Sequence, residues 1–214
     1  MSPFKVKRRI MLRTFIDPLE KNAAVDHFGK CILEMAMAQC GYSMLGTEFS
    51  KELDSAGIDY LYGKEFMRSD VQLKSASTKG SKWRWNIIDK RKGEGISREF
   101  YGEKGNFLFL VCFNLERLDG GFSAPSTVQV GLIPALKVLE FFERASATER
   151  QIRISKNALA NGTSKNWSKY FGLVNIRKTL AKEFKRQSRV REWVKRMPGD
   201  FMVKRARRQK ALTQ

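Results

Sequence analysis

Gly57-Ile-Asp-Tyr-Leu-Tyr-Gly-Lys-Glu-Phe-Met-Arg-Ser-Asp-Val-Gln-Leu-Lys-Ser-Ala-Ser77 contains two short β-prone runs, Ile58–Tyr62 and Val71–Ser75. The link between them is polar and includes Gly63, Arg68, Ser69 and Asp70, which predicts a β-hairpin or a close strand pair. Side chains alternate along a strand, so Gln72 and Lys74 share one face while Val71, Leu73 and Ser75 take the other. Val71 and Leu73 are suited to a core. Asp59, on the preceding run, reaches the same place as Gln72 and Lys74. A carboxylate, an amide oxygen and a lysine converging on a sheet suit a divalent cation and a phosphate. Mg²⁺ prefers hard oxygen ligands and, because it keeps several waters, needs only one or two carboxylates. The plainer reading is a polar strand face with a surface lysine.

The flanking residues narrow the choice. Upstream, Ala24, Phe28, Cys31, Met35 and Ala38 recur in steps of three and four, predicting a helix from about Ala23 to Cys40. Gly41 follows as the residue that closes it. Glu34 flanks that apolar stripe. A polar loop through Lys51 leads to Gly57-Ile58-Asp59 and then to Gln72-Leu73-Lys74.

A helix carrying a glutamate, a Gly-Tyr exit, a polar loop, Gly-Ile-Asp and Gln-x-Lys, in that order between about Asp26 and Ile133, resembles the PD-(D/E)XK nuclease superfamily. It most resembles the branch of Mrr-type restriction nucleases and Holliday junction resolvases, in which the strand motif can read Gln-x-Lys. The resemblance implies a restriction-endonuclease-like α/β fold, with a central mixed β-sheet flanked by helices, and Mg²⁺- or Mn²⁺-dependent hydrolysis of DNA. It implies Asp59 as the main metal ligand. It also implies Gln72 as a secondary ligand through its amide oxygen, helped by the Leu73 carbonyl, and Glu34 as a supporting ligand or a partner of a metal-bound water. Lys74 orients the attacking water. The departure from the common pattern is Gln72, where a carboxylate is usual. The alternative is therefore a DNA-binding module on a nuclease-like fold that cleaves weakly or not at all.

Composition points to the same partner. Lys and Arg total 41 against 22 Asp and Glu in 214 residues, a net charge of +19 and a pI near 10.1. Such an excess suits a polyanion, nucleic acid first and an anionic membrane surface second. No apolar run is long enough for a membrane span. The basic N-terminus lacks the apolar stretch of a secretory signal. Cys31, Cys40 and Cys112 form neither a disulfide framework nor a zinc pattern, so a reducing cytoplasmic setting is expected. No small-molecule cofactor is expected. Junction resolution and some duplex cleavage would require a homodimer, because two strands must be cut.

Three segments are expected: a basic N-terminal strand or arm over 1–22, a nuclease-like core over 23–172, and a basic helical extension and tail over 173–214. Within the core, Tyr42–Glu48 is expected as a first core strand. Lys82–Ile88 is a strand whose tryptophans either enter the core, leaving Arg84 outside, or stack on bases. Phe107–Phe113 is a doubly buried central strand. Thr127–Ile133 is a strand, and Pro134 opens a helix through Ala145. Ile152–Ile154 is a short strand, and Leu173, Ile176, Leu180 and Phe184 form the stripe of a last helix.

Between Ile176 and Lys210, 14 Lys or Arg stand against Glu183, Glu192 and Asp200, an imbalance suited to a DNA backbone. The residues expected to contact nucleic acid are Lys51, Lys79, Lys82, Arg84, Lys90, Arg91 and Lys92 in the core. In the extension they are Arg177, Lys178, Lys185, Arg186, Arg189, Lys195, Arg196, Lys204, Arg205, Arg207 and Arg208.

Overall fold

Phe107–Asn114 (β5) has no polar side chain before its last residue, and all seven of those preceding residues are buried. Each fully buried Phe, Leu or Val contributes roughly 1.5–3 kcal/mol, enough to make β5 the strand around which the sheet assembles. The structure is a computed structural model that describes residues 3–44, 58–77, 80–87, 98–118, 121–144 and 151–195; of these, the side chains of 3–19, 98–99, 117–118, 121 and 193–195 are not described.

The central sheet is mixed and five-stranded. Its order is β1 (Ser43–Met44), β2 (Tyr60–Lys64), β3 (Met67–Ser77), β5 and β8 (Ser126–Pro134). β3 and β5 run parallel; the other neighbours are antiparallel. The β2–β3 hairpin is the one expected, but its strands are longer. Gly63, Arg68, Ser69 and Asp70 lie within the ladder, and Glu65-Phe66 makes the turn, with Glu65 at φ 55°.

Alternation along β5 divides the interior into two cores. Phe107, Phe109, Val111 and Phe113 face helices α1 (Pro3–Gln39) and α5 (Leu173–Lys195), with Leu33, Met37, Val71, Ile176 and Leu180. Leu108, Leu110 and Cys112 face the other side, with Trp83, Trp85, Ile133 and Val138. That second side carries α2 (Arg98–Tyr101), α3 (Ala135–Arg144) and α4 (Lys156–Ala160). It also carries a two-stranded ribbon of β4 (Lys82–Asn86) and β9 (Gln151–Ser155). A further short pair, β6 (Arg117–Leu118) with β7 (Gly121–Phe122), precedes β8.

α1 ends as the sequence indicates. Gly41 has φ 78°, its N–H donates to Ala38 O, and the Tyr42 N–H donates to Met37 O at 3.0 Å, a paired closure of the last turn. Its start differs from expectation. The backbone is helical from Pro3 through Pro18, so the basic segment and the first helix are one element rather than an arm or strand followed by a helix. The buried stripe also differs. It comprises Val25, Gly29, Leu33, Ala36 and Met37, whereas Met35 is 62% exposed and Ala38 is exposed. Gly29 belongs to the stripe because α1 lies almost against β3 there, and a Cβ at that position would fall 1.9 Å from Ser75 Oγ.

Of the stretch Tyr42–Glu48, expected as a first core strand, residues 45–48 lie outside the described residues. Among the described ones, only Ser43–Met44 pairs, at the sheet's edge, and both side chains are exposed. Pro134 closes β8 rather than opening a helix, and Ala135 begins α3 with its N–H donated to Asn106 O. The tryptophan alternatives are decided: Trp83 and Trp85 are each 1% exposed in the second core, and Arg84 faces outward. No helix among the described residues is long and apolar enough to cross a membrane.

Candidate functional site

β2 accompanies β3 only as far as the Tyr60–Val71 pair, so among the described residues no strand pairs with β3 from Gln72 onward on that side. Asp59 fills the first place beyond. Its N–H donates to Val71 O at 3.1 Å, and its carboxylate Oδ2 accepts the Leu73 N–H at 2.6 Å. The carboxylate thus stands in for a strand residue, and a charged acceptor makes that bond strong. The N–H and C=O of one strand residue point the same way, so the Leu73 carbonyl faces the same edge as Asp59.

A cavity of about 540 Å³ wraps this edge, lined by Asp26, Asp59, Tyr60, Leu73, Lys74, Ser75, Arg84 and Asn86. It draws Asp26 from α1 on one side of the sheet and Arg84 and Asn86 from the ribbon on the other. Asp59, Leu73 and Lys74 are therefore brought together as the sequence indicates. A larger groove of about 820 Å³, mostly apolar, runs between α1 and edge strand β8 and contains none of these residues.

Gln72 is placed differently. It projects toward the second core, where its Oε1 accepts a very short hydrogen bond from the Tyr101 hydroxyl, and it does not line the cavity. Tyr101 is 1% exposed. Burial, and then the charge of Asp59, push its hydroxyl far above the ordinary phenol range, so it stays a neutral donor. That donor occupies one lone pair of the Gln72 oxygen and holds the amide in one orientation.

Glu34 is half-buried on α1 and does not line the cavity. It stands eight residues beyond Asp26, about 12 Å along the helix. Its charge still reaches the sheet. The Tyr60 hydroxyl is pushed up to about 12 by burial first and then by Asp59, Glu34 and Asp26. Asp26 was not singled out by the sequence because the apolar stripe was phased on Met35 and Ala38. The usable signal was Gly29, which marks the face of α1 that touches β3.

The cations fall into two groups. Lys82 and Arg84 are exposed on the ribbon, Arg84 at the cavity. The α5 set lies at the other end of the β2–β3 hairpin, roughly 15 Å along the strands. Here Gln187 exchanges hydrogen bonds with the Arg68 backbone, and Arg191 sits 4.9 Å over the Phe66 ring. Arg177 donates to Gln39 O at 3.0 Å, and Arg186 is ion-paired with Glu183, so both have structural duties. Lys178, Lys185 and Arg189 are exposed on α5, and Lys195 ends its backbone. Lys51, Lys79, Lys90, Arg91, Lys92, Arg196, Lys204, Arg205, Arg207 and Arg208 lie outside the described residues.

Among the described residues, no three His, Cys, Asp or Glu cluster in a way that could hold a metal ion. What the cavity offers is two carboxylates, Asp26 and Asp59, with a main-chain carbonyl and no sulfur or imidazole. That donor set fits a hard ion that retains most of its water, such as Mg²⁺ or Mn²⁺, and does not suit zinc. The chain matches no protein-family model, no curated protein and no solved structure.

Proposed function

We propose that the chain is a metal-dependent endodeoxyribonuclease of the PD-(D/E)XK type, hydrolysing phosphodiester bonds at this edge of β3. The observation that carries this reading is the Asp59 carboxylate, pinned by the Leu73 N–H beside Lys74 in a polar cavity that Asp26 also lines. The mixed sheet with helices on both faces is compatible with a restriction-endonuclease-like fold, and the excess of positive charge suits DNA.

Asp59 and Asp26 would hold the ion, with the Leu73 carbonyl beside them. When bound, Mg²⁺ or Mn²⁺ offsets phosphate charge and makes a coordinated water more acidic. Lys74 Nζ donates to the attacking water or to a non-bridging phosphate oxygen, aligning one against the other. Tyr101 keeps Gln72 from swinging freely beside Asp59. Arg84, at the cavity's rim, holds the substrate backbone. Both strands are cut when two copies act together.

The test is incubation of the purified chain with plasmid, linear, single-stranded and four-way-junction DNA in Mg²⁺, Mn²⁺ or EDTA. Metal-dependent cleavage lost in Asp59→Ala is the expected result. The second reading, a DNA-binding module without cleavage, draws on the Gln72 oxygen already engaged by Tyr101. DNA binding without cleavage under any metal would select it.

A further inference from the structure

The β4–β9 ribbon is rigid on one face and chemically uniform on the other. Trp83, Trp85, Ile152 and Ile154 are each no more than 2% exposed. Trp85 Nε1 donates to Val111 O at 3.0 Å, and Lys156 Nζ lies 4.2 Å over the Trp83 ring. The ribbon is thus clamped to the second core by large buried side chains. Alternation then fixes what the outer face presents: Lys82, Arg84 and Asn86 from β4, and Gln151, Arg153 and Ser155 from β9. None of the six is acidic.

Two details of that face need a partner to make sense of them. Arg84 and Arg153 are direct cross-strand neighbours. Like charges so placed repel and weaken a ribbon, a cost that a polyanion laid across both would remove. Beside them, Gln151 Nε2 donates to Asn86 Oδ1 at 2.6 Å, and Arg153 Nε donates to Gln151 Oε1 at 3.0 Å. This chain of bonds links two amides and a guanidinium in one row on an exposed surface, the pre-ordering that recognition of a patterned surface requires.

We propose that the ribbon's outer face enters the major groove of duplex DNA and reads base edges there, with Arg153 and the Gln151–Asn86 pair as the reading groups. The proposal rests on the nucleic-acid reading above and specifies its substrate as B-form duplex. Two strands about 4.8 Å apart fit a groove about 12 Å wide. Arginine matches the two acceptors of guanine, and Asn or Gln matches the donor–acceptor pair of adenine. An anionic membrane would be met as well by lysines and calls for no amide row. Because Arg84 and Asn86 also line the cavity, a duplex on the ribbon brings its backbone to Asp59 and Lys74.

The experiment is binding by the full chain in EDTA, which separates recognition from cleavage. Wild type, Arg153→Ala, Arg153→Lys and Gln151→Ala are each equilibrated with a randomised 20-base-pair DNA library, and the bound fraction is sequenced. Affinities for duplex RNA and single-stranded DNA are measured beside it. Wild type is expected to enrich a short motif and to prefer duplex DNA over duplex RNA, whose deep major groove excludes a ribbon. Arg153→Ala and Arg153→Lys should each lose roughly 5- to 100-fold discrimination at one position. The lysine variant keeps the charge and guards against a fold defect in the alanine variant. Equal binding of all sequences by wild type, or a uniform loss in both Arg153 variants with the motif unchanged, overturns the proposal. Motif enrichment in a chain that never cleaves DNA upholds it while removing the nuclease reading; absence of DNA binding removes both.

Discussion

The Tyr101 hydroxyl donates to the Gln72 oxygen from a side chain that is 1% exposed, and burial first, then the charge of Asp59, raise its pKa. Tyr101→Phe removes the donor and leaves a half-buried amide oxygen without it. The variant should lose about 1–2 kcal/mol of stability, read as a fall in Tm of roughly 2–8 °C. If Gln72 assists the ion, the Mg²⁺ concentration for half-maximal cleavage should also rise. An unchanged Tm would mean that the hydrogen bond is not formed in solution.

Gln72→Glu keeps the Tyr101 contact, now a charge-assisted one, and adds a negative charge close to Asp59. Half-maximal cleavage should move to lower Mg²⁺. Complete loss of activity would show instead that the amide's NH₂ group is required, since a carboxylate cannot donate.

Asp59→Ala and Lys74→Met should each lower the cleavage rate more than about 100-fold, the scale on which single charge-stabilising groups act, with DNA affinity in EDTA nearly unchanged. The contrast between Asp26→Asn and Glu34→Gln tests the phasing of α1. Asp26 lines the cavity and Glu34 does not, so the first substitution should impair cleavage and the second should leave it near wild type. The reverse order of effects would return the helix contribution to Glu34.

Gly29→Ala puts a methyl 1.9 Å from Ser75 Oγ and 3.0 Å from Ser75 Cβ. Overpacking of this kind costs roughly 1–3 kcal/mol. Because Asp26 is one turn away on the same helix, cleavage should fall with stability. Adding Ser75→Ala removes the nearer contact and should restore part of both in thermal melts and in rate.

Asp70 supplies a pH dependence. Burial pushes its carboxyl above the ordinary range. A raised native pKa means that the folded state favours the protonated form; the associated stability is complete below the unfolded-state value of about 3.9 and is lost as pH rises through the native value. Asp70→Asn should therefore match wild type near pH 3 and exceed it in Tm at pH 7. Equal melting temperatures at both pH values would remove the desolvation.

Much of this architecture was legible because single residues carry it. An unbroken apolar run marks β5 as central, Gly41 marks the end of α1, and the alternation of Lys82–Asn86 marks the ribbon's two faces. The hairpin placed Asp59 beside Leu73 and Lys74 for the same reason: period-two geometry leaves few choices. What stayed hidden depends on contacts distant in sequence. Tyr101 meets Gln72 across 29 residues, and β9 meets β4 across 65 between Asn86 and Gln151. A helix offers its faces more ambiguously than a strand, and on α1 exposed Met35 misled where buried Gly29 would have guided.

α1 is one continuous helix with Asp26 in the cavity and Gln39 held by Arg177 of α5, 13 residues away. About 20 Å of helix therefore joins the cavity to α5, packed on the sheet between them through Gly29, Leu33 and Met37. Loss of the Arg177 contact should then be felt at Asp26 through the helix, without any change in what the rest of α5 touches on a substrate. Arg177→Ala, which removes that contact and leaves the core side of α5 in place, would then lose cleavage even where its hold on DNA survives. Arg177→Gln, able to bond Gln39 O without the positive charge, should keep more of the cleavage than Arg177→Ala.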